Sequence, residues 1–319
     1  MDNQELKNAI SGVLVIDKPI GMTSHDVVNA VRFGTGVRRA GHTGTLDPRA
    51  SGVLVILVGP AVRLSEYVSA SDKRYQAIIR MGASTDTFDA DGRFTQQATS
   101  PFDVTESQFE ETLKQFVGEI EQTPPPYSAV KVRGRRAYDL ARKGEEVELA
   151  PRKITVYHLE VLEWAPPEVV VDVHCSSGTY VRSLANDMGN KLGCGGYLVG
   201  LRRTKSGRFS LRDATPLRKL QEAFRAGNWY QYLIPAAEAL GDWDALELNP
   251  DQVDEVRHGH RLPAAPDAKP GMVRGISMAG ELVALLELVP AAEPASAEGE
   301  EAAVAEPVME WQPKKVFYS

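Results

Sequence analysis

The chain has 319 residues, of which 43% are hydrophobic and 25% charged, and its net charge is −7. That length allows a large core plus a smaller second unit, and the composition is that of an ordinary globular protein. The longest apolar run, Val53 to Val58, is too short to span a membrane, and the acidic, polar start Met1 to Glu5 is unlike a secretory leader.

The two cysteines, Cys175 and Cys194, stand in no metal-ligand spacing, and no His/Cys/carboxylate cluster suggests a metal. The expectation is a metal-free protein with free thiols in a reducing cytoplasm, without a membrane partner. The charge is unevenly spread. Residues 1–245 hold 30 basic and 30 acidic residues, whereas residues 246–319 hold 6 and 13, the whole of the excess. Two basic clusters, Lys131 to Arg136 and Arg202 to Arg208, fit either a phosphate-contacting footprint or a solvated face.

In chain order, Gly12 to Ile16 reads as a buried strand stopped by Asp17-Lys18-Pro19. Thr23 or Ser24 then caps a helix through Val31. Ala50 to Leu64 is a strand leading into a helix start, and Lys73 to Gly82 is another strand, ending at the polar turn Thr85 to Gly92. Apolar residues Phe109, Leu113 and Phe116 predict a helix over 106–116. Thr123 to Tyr127 breaks regular structure and leads into a basic stretch with helical character around Ala137 to Lys143. Val169 to Cys175 is a strand, after which Ser176 to Thr179 caps a helix that Gly193 ends.

Strands and helices alternate without a βαβ rhythm, so the fold class is α+β with a mixed, largely antiparallel sheet. A boundary falls near Gly241 to Asp244, giving units of 1–244 and 245–319. The second is a small β-rich module with strands at 246–248, 271–278 and 281–289. Residues 291–306, rich in Ala, Glu and Pro, form an acidic insertion in it, and order returns at Val308 to Trp311.

The most informative segment is Gly41-His42-Thr43-Gly44-Thr45-Leu46-Asp47-Pro48-Arg49-Ala50-Ser51-Gly52, a glycine-punctuated loop that presents one carboxylate before a strand. Asp-Pro by itself is a turn former. A phosphate cradle is disfavoured, since no Lys-Ser or Lys-Thr follows the second glycine. The third reading, a catalytic carboxylate, needs partners from elsewhere in the chain.

This loop resembles the active-site loop of the tRNA pseudouridine synthase B family, G-H-T-G-T-L-D-P-x-A-x-G-x-L, almost without a break. Other motifs in the family's order include Asp17-Lys18-Pro19-Ile20-Gly21-Met22-Thr23-Ser24, the strand with Tyr75, and Cys175-Ser176-Ser177-Gly178-Thr179-Tyr180-Val181-Arg182. The resemblance implies a pseudouridine synthase core followed by a PUA-like RNA-binding module. It also implies isomerisation of uridine 55 in the T arm of tRNA, with the base flipped out and no cofactor.

By the same resemblance Asp47 is the nucleophile and Arg182 the cation paired with it. Tyr75 stacks on the uracil, Tyr180 and Leu201 line the pocket, and His42 packs against the T loop. Lys18 is given a structural or phosphate-contact role. Asp89 and Asp91 also match family positions, but an acidic turn accounts for them. Residues 123–153 form an RNA-contacting insertion. Stand-alone action as a monomer, without guide RNA, is expected. Rival readings are a non-catalytic RNA binder or tRNA-folding chaperone, and a guide-RNA-dependent enzyme.

Overall fold

The computed structural model describes residues 10–97, 103–128, 130–132, 135–136, 149–291 and 308–317. The basic stretch around Ala137 to Lys143, the acidic segment 292–306 and Met1 to Glu5 lie outside the described residues. At 131–132 and 135–136 only the backbone is described, as the short paired strands β8 (Lys131–Val132) and β9 (Arg135–Arg136).

The architecture is α+β. Its main sheet runs in the order β14 (Thr215–Pro216), β1 (Gly12–Lys18), β3 (Ala50–Val58), β12 (Gly196–Ser206), β4 (Lys73–Met81), β11 (Glu168–Cys175), β10 (Arg152–Ala165) and β7 (Gly118–Gln122). Pairing is antiparallel except between β1 and β14 and between β3 and β12.

The unbroken apolar runs of β1 and β3 have a simple cause: both faces of these strands are buried. Leu14, Ile16, Leu54 and Ile56 face one core, shared with Val27 and Val31 of helix α1 (Ser24–Thr35). Val13, Val15, Val53 and Val55 face a second core on the other side. Thr23 caps α1 with a reciprocal bond to Asp26, and Gly36 closes it in a left-handed conformation, one turn beyond the expected end.

A 3-10 turn at Gly59–Leu64 and helix α2 (Ser65–Ala70) follow β3. Helix α3 (Glu106–Lys114) ends slightly before the expected Phe116. Strand β10, the longest, is not among the elements expected. Two bulges, at Val156/His158 and Val161/Glu163, interrupt its alternation and hide the period.

Helix α4 (Val181–Lys191) departs from expectation at its start. Its N-cap is Tyr180, with no side-chain cap. The hydroxyls expected to cap it are used locally: Thr179 donates to the Ser176 carbonyl at 3.0 Å, and Ser176 accepts from the Thr155 amide at 2.9 Å. Helix α5 (Leu217–Ala226), also unexpected, packs against α1. A Cβ on Gly34 would collide with the Phe224 ring at 2.2 Å.

The residues from 245 onward form a five-stranded sheet, β16 (Ala245–Leu248), β18 (Met272–Ser277), β19 (Leu282–Pro290), β20 (Met309–Val316) and β17 (Leu262–Pro263), with helix α6 (Pro250–Arg257). This module is seated on the main sheet's second core, to which it contributes the buried Leu285 and Phe317. Arg274 fastens it by donating to the carbonyls of Ala237 at 2.9 Å and Trp243 at 2.8 Å. Cys175 and Cys194 are free, and burial pushes the Cys175 thiol up to about 11.

Candidate active site

The loop between β2 (Ala40–His42) and β3 is fixed before it reaches Asp47. Ser24, buried in the first turn of α1, accepts from the Leu46 amide at 2.8 Å and donates to the Leu46 carbonyl at 3.0 Å. The Thr43 amide bonds the Val55 carbonyl, and the Gly21 amide bonds the Pro48 carbonyl. A second support comes from Arg203 of β12, whose side chain donates to the carbonyls of Val53 at 2.7 Å and Gly44 at 3.0 Å. The backbone of β12 lies so close that a Cβ on Gly52 would sit 2.2 Å from the Arg203 carbonyl oxygen, and Gly52 itself has φ +99°. The glycine spacing of the motif therefore serves this parallel β3–β12 contact, as well as the turn.

Asp47 emerges from this support with its side chain 44% exposed, and its Oδ2 lies 3.1 Å from Nε of Arg182, whose side chain is 9% exposed. Every nitrogen of the Arg182 guanidinium is occupied. Nη1 donates to Oδ2 of Asp89 at 3.0 Å and Nη2 to the Tyr127 carbonyl at 3.1 Å. Such a planar fork, fixed on three sides, presents its charge in one orientation.

Asp89 is therefore part of the site, which corrects the reading of it as one acid of a polar turn. Its other oxygen accepts from Thr87 Oγ1 at 2.6 Å and from the Asp91 amide at 3.0 Å. The turn is held open by Phe88, which adopts φ +64°, and is tied to β12 through the Leu198 backbone. Asp91 instead pairs with exposed Arg49.

Asp47, Asp89 and Arg182 meet Leu198, Gly200 and Leu201 around a small open cleft. Of the residues expected at the site, the structure gathers Asp47, Arg182 and Leu201 here. Lys18, His42, Tyr75 and Tyr180 are not among the residues lining the cleft. Tyr75 lies in β4 opposite Arg203 and is 8% exposed. Burial raises its phenol pKa, so at neutral pH it remains a neutral ring and not a phenolate base.

Lys18 is wholly buried and donates to the carbonyls of Pro19 at 3.0 Å and Met22 at 2.6 Å. Its ammonium is pushed down to about 8, mainly by burial. A sealed ammonium serves the β1–α1 turn and cannot reach a phosphate. His42 is half-buried with an unpartnered Nδ1, and burial lowers its pKa.

In the cluster Arg202 to Arg208, Arg203 alone of the basic side chains is buried. Arg202 pairs with Asp17 at 2.9 Å, Arg203 is 1% exposed, and Arg208 pairs with Glu238. Neither Asp89 nor Arg203 stands out in the sequence: the first sits among other acids in a turn, the second among other cations in a short stretch.

An exposed carboxylate held by a buried arginine beside a small cleft can attack an electrophilic carbon of a ligand that enters. Comparison with known proteins gives the chain a family. Residues 32–181 match the N-terminal domain of the TruB family pseudouridylate synthases, and residues 182–240 match the tRNA pseudouridylate synthase B C-terminal domain. The line between the two matches falls inside the start of α4 and is not a structural boundary.

The tRNA pseudouridine synthase B of Thiobacillus denitrificans is 42% identical over 88% of this chain and 93% of its own length. That of Symbiobacterium thermophilum is 46% identical over 80% of this chain and 84% of its own. Among solved structures, a chain of an H/ACA RNP bound to a substrate RNA containing 2′-deoxyuridine superimposes with a TM-score of 0.71 at 27% identity. It covers all of this chain and 88% of the other. A chain of a Cbf5-Nop10-Gar1 complex gives a TM-score of 0.71 at 28% identity, covering 99% and 88%. The chain belongs to the tRNA pseudouridine synthase B family and is a pseudouridylate synthase, an isomerase.

Proposed function

We propose that this enzyme converts uridine 55 in the T arm of tRNA to pseudouridine, with Asp47 as the nucleophile. The observation that carries this reading is the asymmetry of the central ion pair: the acid faces the cleft, while the arginine holding it is buried. The guanidinium fixes the carboxylate from one side and leaves its other face toward the cleft.

The reaction breaks the bond between N1 of uracil and C1′ of ribose and makes one from C5 to C1′. The hydrogen on C5 leaves as a proton, and N1 gains one, so substrate and product are isomers. The reacting atoms are covered within a stacked RNA, so the nucleoside must swing out before it enters the cleft. Asp47 can attack either C1′ of the ribose or C6, the electrophilic carbon of the base, and both routes use the same pair. Leu201 gives the cleft an apolar wall, and Tyr75 and Tyr180 are proposed as the aromatic side chains that receive a flipped base once RNA is bound. His42, at the end of β2 just before the Asp47 loop, is proposed to pack against the RNA that the base has left.

Relatives at 42% and 46% identity carry the name tRNA pseudouridine synthase B, whereas the chains of the H/ACA RNP and of the Cbf5-Nop10-Gar1 complex are 27% and 28% identical. We therefore favour tRNA as the substrate and action without a guide RNA. The module from residue 245 to the chain end is proposed as a PUA-like RNA-binding unit and the segment 123–153 as a further RNA contact. The test is to treat unmodified tRNA with purified protein and map pseudouridine at nucleotide resolution. Modification at position 55 alone, without added RNA, is expected. Modification elsewhere, or only with a guide, would overturn the assignment.

A further inference from the structure

Strands β7 and β10 pair antiparallel, and one register position sets Gln122 opposite Arg152. Both side chains reach to the same residue, Tyr180, which precedes helix α4 and lies two positions from Arg182. Gln122, 1% exposed, grips its main chain: the amide Oε1 accepts from the Tyr180 N–H at 2.8 Å, and Nε2 donates to the Tyr180 carbonyl at 3.0 Å. Arg152 covers its ring, with the guanidinium carbon 4.6 Å from the ring centroid. An Nη2 bond to the carbonyl of Gly178, a residue at φ +82°, keeps the guanidinium there.

The chain leaving β7 continues to track the first turn of α4. The Thr123 carbonyl accepts from Ser183 Oγ at 2.9 Å, and the Tyr127 carbonyl accepts from Arg182 itself. We propose that Gln122 and Arg152 are positioning residues, one cross-strand pair that sets the ring of Tyr180 and, through the start of α4, the orientation of the Arg182 guanidinium toward Asp47.

The chemistry of the two side chains fits this task. An amide is the side chain that can donate and accept at once, so a single Gln satisfies both the N–H and the C=O of one residue. A guanidinium stacks flat on an aromatic face, which a flexible ammonium does less well. The α4 N-cap has no side-chain cap of its own, so its placement depends on what β7 and β10 supply. The same register pair closes the base of the segment 123–151, so both ends of that segment are fastened to the start of the catalytic helix.

The inference rests on Asp47 and Arg182 being the reacting pair. Its test uses the full chain, a tRNA transcript with 5-tritiated uridine, and single-turnover rates at saturating enzyme. Arg152→Met is expected to lower the rate at least about tenfold, since displacements near 1 Å at a reacting centre cost up to about a hundredfold. The tRNA Kd is expected to stay within about threefold and its salt dependence to be unchanged. Arg152→Lys, which restores a cation over the ring, should recover part of the rate.

Gln122→Glu keeps the shape but cannot donate, and should give the same loss of rate alone. Should that variant fold poorly, the Arg152 variants decide. In a Tyr180→Leu background the effect of Arg152→Met should largely vanish, as required if Arg152 acts through the ring. A normal rate with weaker binding and a salt slope shallower by about one would make Arg152 a phosphate contact and overturn the proposal. So would unchanged kinetics, or additive losses with Tyr180→Leu. Asp47→Asn, run in parallel, separates the two levels. If it keeps full turnover, the reading of the reacting pair fails. If it is inactive while Arg152→Met is normal, only the positioning role is lost.

Discussion

Arg182 and Arg203 are both buried and both act on the loop that holds Asp47, yet their partners differ in kind. Arg182 meets two carboxylates, Asp47 and Asp89, and grips the loop through the side chain that faces the cleft. Arg203 donates to two main-chain carbonyls, of Gly44 and Val53, and takes part in no ion pair among the described residues. Carboxylates neutralise a guanidinium, whereas carbonyls satisfy its N–H groups and leave its charge in place. The residual charge of Arg203 is felt around it: it depresses the pKa of Lys18, Lys73 and His42, adding to the effect of burial. One arginine holds the acid that faces the cleft; the other builds the loop that delivers it.

That distinction can be broken by substitution. Arg182→Ala is expected to lower the single-turnover rate by about a thousandfold, the scale of removing a fixed charged donor from a reacting centre, with tRNA affinity changing far less. A large loss of affinity with normal chemistry in the bound complex would move Arg182 to phosphate contact. Arg203→Met should act first on the fold. Losing charge-assisted bonds to two buried carbonyls is expected to cost about 3–5 kcal/mol in denaturant unfolding, with activity falling because the loop is no longer held. Unchanged stability would mean that the loop does not depend on it.

Asp89→Asn sharpens the comparison by removing one of the two charges on Arg182 while keeping the side chain's size. A charge-assisted bond of about 1.5–3 kcal/mol converts to a rate loss of about ten- to a hundredfold, with little change in melting temperature. A rate within about twofold of the parent would return Asp89 to a turn-forming role.

The smallest effect concerns Lys73, which is buried next to Arg203 and whose ammonium is pushed down to about 8, first by burial and then by that arginine. In the unfolded chain it titrates near the ordinary lysine value of 10.5. Between the two values the unfolded chain binds more protons than the folded one. The penalty for burying this charge is therefore complete below pH 8 and is relieved as pH rises toward 10.5. Between about pH 7.5 and 9 it should add about 1 kcal/mol to unfolding free energy, and Lys73→Met should remove that part of the rise. A slope unaffected by the substitution would contradict the assignment.

How far the sequence reveals these features follows from what each residue needs. Asp47 and Arg182 are legible because each sits in a motif whose spacing is set by its own loop or helix. The strands β1 and β3 are legible because burial on both faces leaves a continuous apolar run. Asp89 is hidden because its role depends on Phe88 turning through positive φ and on a partner 93 residues away. Arg203 is hidden because a buried cation among exposed ones looks like part of a basic stripe until β12 is paired beside β3. Strand β10 is masked by its bulges, and the start of α4 by hydroxyls that satisfy neighbouring backbone groups, so that Tyr180 is held by the distant Gln122. In each case the missing information is a long-range pairing, which no local pattern contains.

The decisive measurement is release of tritium from 5-tritiated uridine in tRNA by Asp47→Asn, made alongside direct binding of the same RNA. An uncharged isostere should bind tRNA within a few-fold of the parent and release no tritium above background. Turnover at the parent's rate by the RNA-bound variant would contradict a nucleophilic role for the Asp47 carboxylate.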